Sequence, residues 1–219
     1  LNPLSNIIDH INQAFEAKSK VRDNTLIRSR ELIRYCANAI RATQRGDDTE
    51  SQNLLQIAQT AATEMITAAQ SYPDVYHAGY TQDALKEFAE ACLTRAIILE
   101  QEIPTPESIK VEYAAYLNGL AEAAGELRRF ALDALRRGDV PQAERILGNM
   151  DDIYSLLITV DFPSAITDNL RRNTDMVRGV LERTRGDVTT AVRQEVMKEV
   201  LQKFEQRLEI PLSIRTANA

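Results

Sequence analysis

Apolar residues along this chain recur at three- and four-residue intervals, as in Leu26, Ile33, Cys36 and Ile40, or Leu85, Phe88, Cys92 and Leu99. No run alternates cleanly at period two, so strands are not expected. The spacing predicts helices over roughly 4–19, 24–45, 49–71, 82–102, 107–137, 140–160, 165–185 and 188–209. All seven prolines fall at the edges of these segments, where a missing N–H costs a helix least. Gly46, Gly138 and Gly186 each follow an arginine, the pattern of a left-handed C-terminal cap. Asp139 with Pro141 reads as an N-cap and opening turn. Gly119 and Gly125 lie inside the predicted 107–137 helix and weaken it, so they are read as permitting close helix packing.

In the last predicted helix, Val192, Val196, Val200, Phe204 and Leu208, flanked by Met197 and Leu201, form a wide apolar stripe. It suits packing within the chain or against another subunit equally well. The expectation is an all-α single-domain bundle over residues 1–219, of about seven to eight helices, with a C-terminal extension helix over 187–210 available as an oligomer contact.

The chain's 219 residues suffice to bury a core without disulfide help. Cys36 and Cys92 sit inside apolar patterns and are expected to be buried thiols. His10 and His77 are too far apart for a local zinc motif. No apolar run has membrane-spanning length and no leader pattern opens the chain, so a soluble, cytoplasmic protein without a membrane partner is expected. Nucleophile elbows, phosphate loops and dinucleotide fingerprints are missing from the sequence. Any catalysis must therefore rest on carboxylates.

Charge changes the picture. The chain carries a net charge of −6. Yet Lys18, Lys20, Arg22, Arg28, Arg30, Arg34, Arg41 and Arg45 face only Asp23 and Glu31 between residues 18 and 45. At 100° per residue, Arg30, Arg34, Arg41 and Arg45 share a sector of about 60°. Such a row suits a polyanion, although a solvated face or an arginine-rich subunit contact explains it as well. Tyr35 and the loop tyrosines Tyr72, Tyr76 and Tyr80 are candidates for base stacking.

Acidic residues also gather. Asp83, Glu87 and Glu90 point one way from the predicted 82–102 helix. Two carboxylates at i and i+3 can share a hard divalent cation, although a solvent-facing acidic stripe is the plainer alternative. Asp151 and Asp152 lie in mid-helix, where negative charge gains nothing from the dipole. Asp152 would complete a three-carboxylate site if its helix packed beside that of Glu87. Glu122 and Glu126 form a further pair, for which an ion pair from Glu126 to Arg129 is the default expectation.

These residues carry a family resemblance. Tyr76-His77-Ala78-Gly79-Tyr80, Asp83-Ala84 and Lys86-Glu87-Phe88-Ala89-Glu90-Ala91 are similar to the TRAX segment whose E-[aromatic]-x-E-A run supplies metal-binding glutamates. Arg22-Asp23 and Arg28 to Ile33 look like the family's early basic helix. Tyr116 to Ala121, Gly125 to Arg129 and Gly138-Asp139 resemble its central region. The chain is thus similar to the translin/TRAX family, on the TRAX-like side, since translin proper lacks the glutamate pair.

The resemblance implies Glu87 and Glu90 as catalytic, metal-holding residues, with Asp152 at the family's aspartate. Around Asp152 this chain has Asp151 at the family's tyrosine position and Ile153 at its glycine position. Asp151 and Glu126 stand as alternative or supporting ligands, and Arg30, Arg34, Arg41 and Arg45 as nucleic-acid contacts. The activity implied by the resemblance is that of an endoribonuclease dependent on Mg²⁺ (or Mn²⁺), cutting single-stranded RNA inside a hollow, octamer-like homo-oligomer. The family also offers hetero-oligomers with a translin-type subunit and binding of single-stranded DNA. The alternatives are a non-catalytic translin-like protein that holds single-stranded RNA or DNA, and a helical scaffold.

Overall fold

A computed structural model describes residues 3–207. Among these there is no strand, and the helices run α1 (Pro3–Arg45), α2 (Asp48–Ala69), α3 (Pro73–Tyr76), α4 (Gly79–Ile98), α5 (Pro106–Ile109), α6 (Tyr113–Arg136), α7 (Val140–Leu157), α8 (Ser164–Thr167) and α9 (Leu170–Arg207). Two expected boundaries form as their residues dictate. Gly46 and Gly138 adopt φ of +78° and +81°. Asp47 and Asp139 then cap the following helices by accepting from Glu50 N–H and Gln142 N–H.

Other boundaries differ from expectation. The predicted 4–19 and 24–45 helices are one rod, because nothing between Lys20 and Asn24 breaks a helix and Thr25 Oγ1 bonds back to Val21 O. Gly186 is no cap but lies inside α9. The buried row Val177, Leu181, Thr184 and Val188 continues straight past it. Conversely, the predicted 107–137 helix is split where Lys110 takes a left-handed φ of 56°, and 165–185 is split at Asp168, with φ of 53°. Leu208 and the end of the predicted 188–209 helix lie outside the described residues.

The buried apolar side chains form two clusters that share α4 and α6. One joins Leu32, Cys36 and Ile40 of α1, Ala58 and Met65 of α2, and Leu85 and Phe88 of α4 to Ala115 and Ala123 of α6. The other joins Ile97 and Ile98 of α4 to Leu127 and Ala131 of α6, Ile146 and Met150 of α7, and Val177 and Leu181 of α9. The contacts set α4 and α6 side by side in the same direction: Ala115 meets the cluster of Leu85, and Leu127 that of Ile97. Between these points the two backbones nearly touch at Gly119, where a Cβ would lie 2.7 Å from Lys86 O and 2.9 Å from Glu90 N. Next to it the buried Asn118 donates to Thr167 O and accepts from Asn173 Nδ2, both at 2.9 Å, tying α6 to the start of α9.

Two helix ends extend beyond this core. Leu4, Ile7, Ile8, Ile11 and Phe15 of α1 are exposed, as are Val196, Met197, Val200, Leu201 and Phe204 of α9. Of the apolar stripe anticipated on the last helix, Val192 packs against the core and Val196 to Phe204 are not covered among the described residues. No helix among the described residues is long and apolar enough to cross a membrane.

Two glycine substitutions separate close packing from simple helix propensity. Gly119→Ala is expected to destabilise the fold by about 1–3 kcal/mol through overpacking. Gly125→Ala meets nothing within 4 Å and is expected to stabilise it by about 0.5–1 kcal/mol. Chemical denaturation of both variants measures the contrast.

Candidate metal centre

Glu87 and Glu90 project from α4 toward α6, and the close approach at Gly119 brings Glu122, one turn further along α6, up to meet them. One carboxylate oxygen from each of the three lies within 4.8 Å of the others. Glu90 is the innermost, at 8% exposure. Its carboxylate has neither a hydrogen bond nor an ion pair among the described residues, so at this largely buried position its charge rests on the little solvent that reaches it. Burial, reinforced by the negative charges of Glu87, Glu122 and Glu126, pushes the Glu90 pKa up to about 8. Glu87 is also raised, chiefly by burial and then by Glu122, Asp83 and Glu126, with Lys86 opposing.

Lys86 is the one cation inside this group among the described residues. Its Nζ lies 2.8 Å from Glu122 Oε1 and 4.0 Å from Glu87 Oε1. Burial alone would lower its pKa, but Glu122, Glu87 and Asp83 outweigh that and hold it above the usual lysine value. Glu126, one turn beyond Glu122, accepts a hydrogen bond from Gln44 Nε2 of α1. The expected ion pair from Glu126 to Arg129 does not form.

The structure thus brings two of the anticipated acids together and adds a third from a different helix. Asp152 does not join them. It is exposed on α7, in a cleft with Ala96, Ile97 and Arg145. The physical reason is packing: α7 lies against α6 and α9 and reaches only the C-terminal end of α4, where Arg145 donates to Ile97 O and Ile98 O. From Ile97 back to Glu90 is roughly 10 Å along the helix. Asp151 pairs instead with Arg185 at 2.7 Å. Glu122 was visible in the sequence only as half of an acid pair. The small-residue surroundings and Gly119, three residues before it, were the signal that it sits at a tight helix contact.

On α1, Arg30, Arg34, Arg41 and Arg45 are all exposed, and none forms an ion pair among the described residues. Arg41 bonds Asn38 Oδ1, and Arg34 lies 5.6 Å from the Tyr35 ring centroid. Gln44 occupies the edge of this row and reaches Glu126, so the basic face of α1 borders the acidic group. Of the stacking candidates, Tyr76 is engaged, its hydroxyl donating to Glu112. Cys36 is buried near Glu87 and Glu90 and its thiol is pushed well up, mainly by burial, as an inert core thiol would be.

Three carboxylates converging from two helices on one point, one of them buried without a donor, form a hard-oxygen donor set suited to Mg²⁺ or Mn²⁺. Known proteins share the frame that builds it. AfC3PO, solved alone and in a complex with duplex RNA, is 32% identical, with a TM-score of 0.79 over 86% of this chain and 98% of its own. The chain belongs to the translin/C3PO family. An uncharacterised protein of Methanocaldococcus jannaschii is 31% identical over 191 residues, 86% of this chain and 84% of the relative. NeC3PO, at 22% identity and a TM-score of 0.74, shares the translin/C3PO fold. No family model matches the chain.

The raised Glu90 pKa sets a pH dependence for the metal-free protein. Between the ordinary value of 4.5 and about 8, the folded chain holds a proton that the unfolded chain has released. The contribution of Glu90 to stability is therefore full below 4.5 and is lost as pH rises through about 8. In chelator, Glu90→Gln is expected to flatten this decline and to melt above the wild type at pH 8. Thermal melts across this range check it.

Proposed function

We propose that this protein is a divalent-metal-dependent endoribonuclease in which Glu87, Glu90 and Glu122 hold the ion and the α1 arginines hold RNA. The observation that carries this reading is the convergence of three carboxylates from two helices, the innermost being that of the largely buried Glu90, which has no donor or ion-pair partner among the described residues. A cation is the simplest agent that would make such a group stable in its charged form. The C3PO relative captured with RNA supports a nucleic-acid substrate. Supplied at this point, Mg²⁺ or Mn²⁺ would stabilise charge on a phosphodiester and make an attacking water more acidic.

The chain's own residues account for the rest. Glu87 and Glu90 share one face of α4, and Glu122 approaches from α6, so the donors are fixed by two rigid elements rather than by loops. Arg34, Arg41 and Arg45 are exposed cations on the helix whose Gln44 reaches Glu126, suited to phosphates of a strand that also meets the acids. They attract the polyanion that the acids repel. Single-stranded RNA is the expected substrate, since a strand can follow one helix edge with its bases turned outward. Glu126, held by Gln44, and Asp83 add negative charge around the ligands. Asp152, on the far cleft, stays outside this constellation.

The exposed apolar ends of α1 and α9 support assembly into a multi-subunit particle, the setting in which an octamer-like interior would enclose RNA. One observation favours a second reading, a passive RNA holder. Lys86 already neutralises part of the acidic group, as it would in a purely structural ion-pair network.

Incubation with labelled RNA, single- and double-stranded, distinguishes these readings. Cleavage is expected with Mg²⁺ or Mn²⁺ and not with chelator. Glu87→Ala with Glu90→Ala should abolish it while leaving RNA binding in place, and Asp152→Asn should leave it unchanged. Retained cleavage in the double variant sinks the nuclease assignment. Replacing Arg41 and Arg45 together should weaken RNA binding and reduce the slope of log affinity against log salt by about 1.4, the effect of two lost phosphate contacts on a single strand. Fluorescence anisotropy over a salt series reads it directly.

A further inference from the structure

We propose that Lys86 is the resident counterion of the carboxylate cluster, exchanged for a divalent cation when an RNA phosphate is present to receive its ammonium. Lys86 thereby makes metal binding and RNA binding depend on each other. The inference rests on the metal-dependent reading above.

Lys86 Nζ lies 2.8 Å from Glu122 Oε1 and 4.0 Å from Glu87 Oε1, so it occupies two of the three carboxylates that would hold the ion. Its side chain is only 20% exposed, against 30% for Glu87 and 26% for Glu122. The ammonium is therefore part of the cluster rather than a solvent-side cap over it. A divalent ion coordinated by the same oxygens would stand a few ångströms from this positive charge, in a partly buried setting where screening is weak. The two cations compete for Glu122. Glu90 differs: at 8% exposure it makes no hydrogen bond or ion pair with Lys86, so the lysine satisfies the group only in part and leaves a reason for an ion to enter.

The lysine can leave because it has a four-carbon stem and a compact head group that is not locked into a fork. Where it goes matters. The exposed arginines Arg34, Arg41 and Arg45 lie on a different helix, α1. Lys86 alone extends from α4 beside the ligands themselves. Displaced from Glu122, its ammonium is within a side chain's reach of any phosphate that an ion at Glu87, Glu90 and Glu122 would contact. Without such a phosphate, the released charge has no anion to meet, and the exchange is unfavourable. By linkage, the factor by which RNA tightens the metal equals the factor by which the metal tightens RNA.

Mn²⁺ binding to the full chain, followed by electron paramagnetic resonance of the free ion, tests this without reading activity. In the absence of RNA, Lys86→Gln is expected to bind Mn²⁺ at least about tenfold more tightly than wild type, whereas Lys86→Arg, which keeps the charge, is not. A cleavage-resistant phosphorothioate single-stranded RNA should tighten Mn²⁺ binding to wild type by a clearly larger factor than to Lys86→Gln, where only direct contact between ion and phosphate remains, and equal tightening in the two overturns the exchange. Equal Mn²⁺ affinity in wild type and Lys86→Gln overturns the exchange while leaving the metal reading standing. Failure of every protein to bind Mn²⁺, with or without RNA, overturns both. The wild-type comparison with and without RNA needs no variant, so the inference also fails if RNA leaves wild-type affinity unmoved.

Discussion

The contact between α4 and α6 at Gly119 is the constraint on which the site depends. Lys86 O and Glu90 N stand so close to this glycine that any side chain must push the helices apart. A glutamate side chain spans little more than half a usual interhelical distance, so carboxylates from two facing helices can meet, and the tight contact at Gly119 fixes how closely these do. The alanines flanking the contact, Ala89 on α4 and Ala123 on α6, are fully buried in one cluster and extend the same close seam. Packing of small residues thus holds the two acid-bearing helices in a fixed register.

That seam imposes an electrostatic conflict, since it confines like charges that would separate in water. Lys86 relieves part of it, through Glu122 and Glu87, and Glu90 keeps the remainder. Departures from local consistency of this kind concentrate at functional sites, because a cluster that were satisfied in every respect would have no affinity left for a ligand. The surrounding fold tolerates the conflict by being well packed elsewhere. Asn118, beside Gly119, has its amide engaged with Thr167 and Asn173, and Arg128 binds both Thr184 and Asp187 across α9.

Much of the architecture was legible in periodicity and punctuation. Gly46 and Gly138 announced their boundaries as left-handed residues and Asp139 announced the helix that follows, while the like cap at Asp47 came from the structure alone. Gly186 misled because the same arginine-glycine pair occurs where a buried row on both sides keeps the helix intact. In the site, Glu87 and Glu90 were readable, being neighbours on one helix. Their third partner was not, because its choice turns on which helix lies alongside α4. Periodicity identifies faces but not neighbours. The aspartates of α7 were equally plausible candidates until packing placed that helix at the far end of α4. Lys86 was likewise invisible in its role, since a lysine between apolar positions reads as an ordinary surface charge.

The length of α1 has a mechanical meaning. Its first half is an exposed apolar arm, and its second half packs into the core and ends with Gln44 against Glu126. With 43 residues and no break, it is a stiff lever of roughly 65 Å. Whatever grips the arm also sets the tilt of the arginine row and the position of Gln44. The quality of the fit between one molecule and its neighbour is therefore written, through a single rod, into the alignment of the strand-holding edge with the acids beside it.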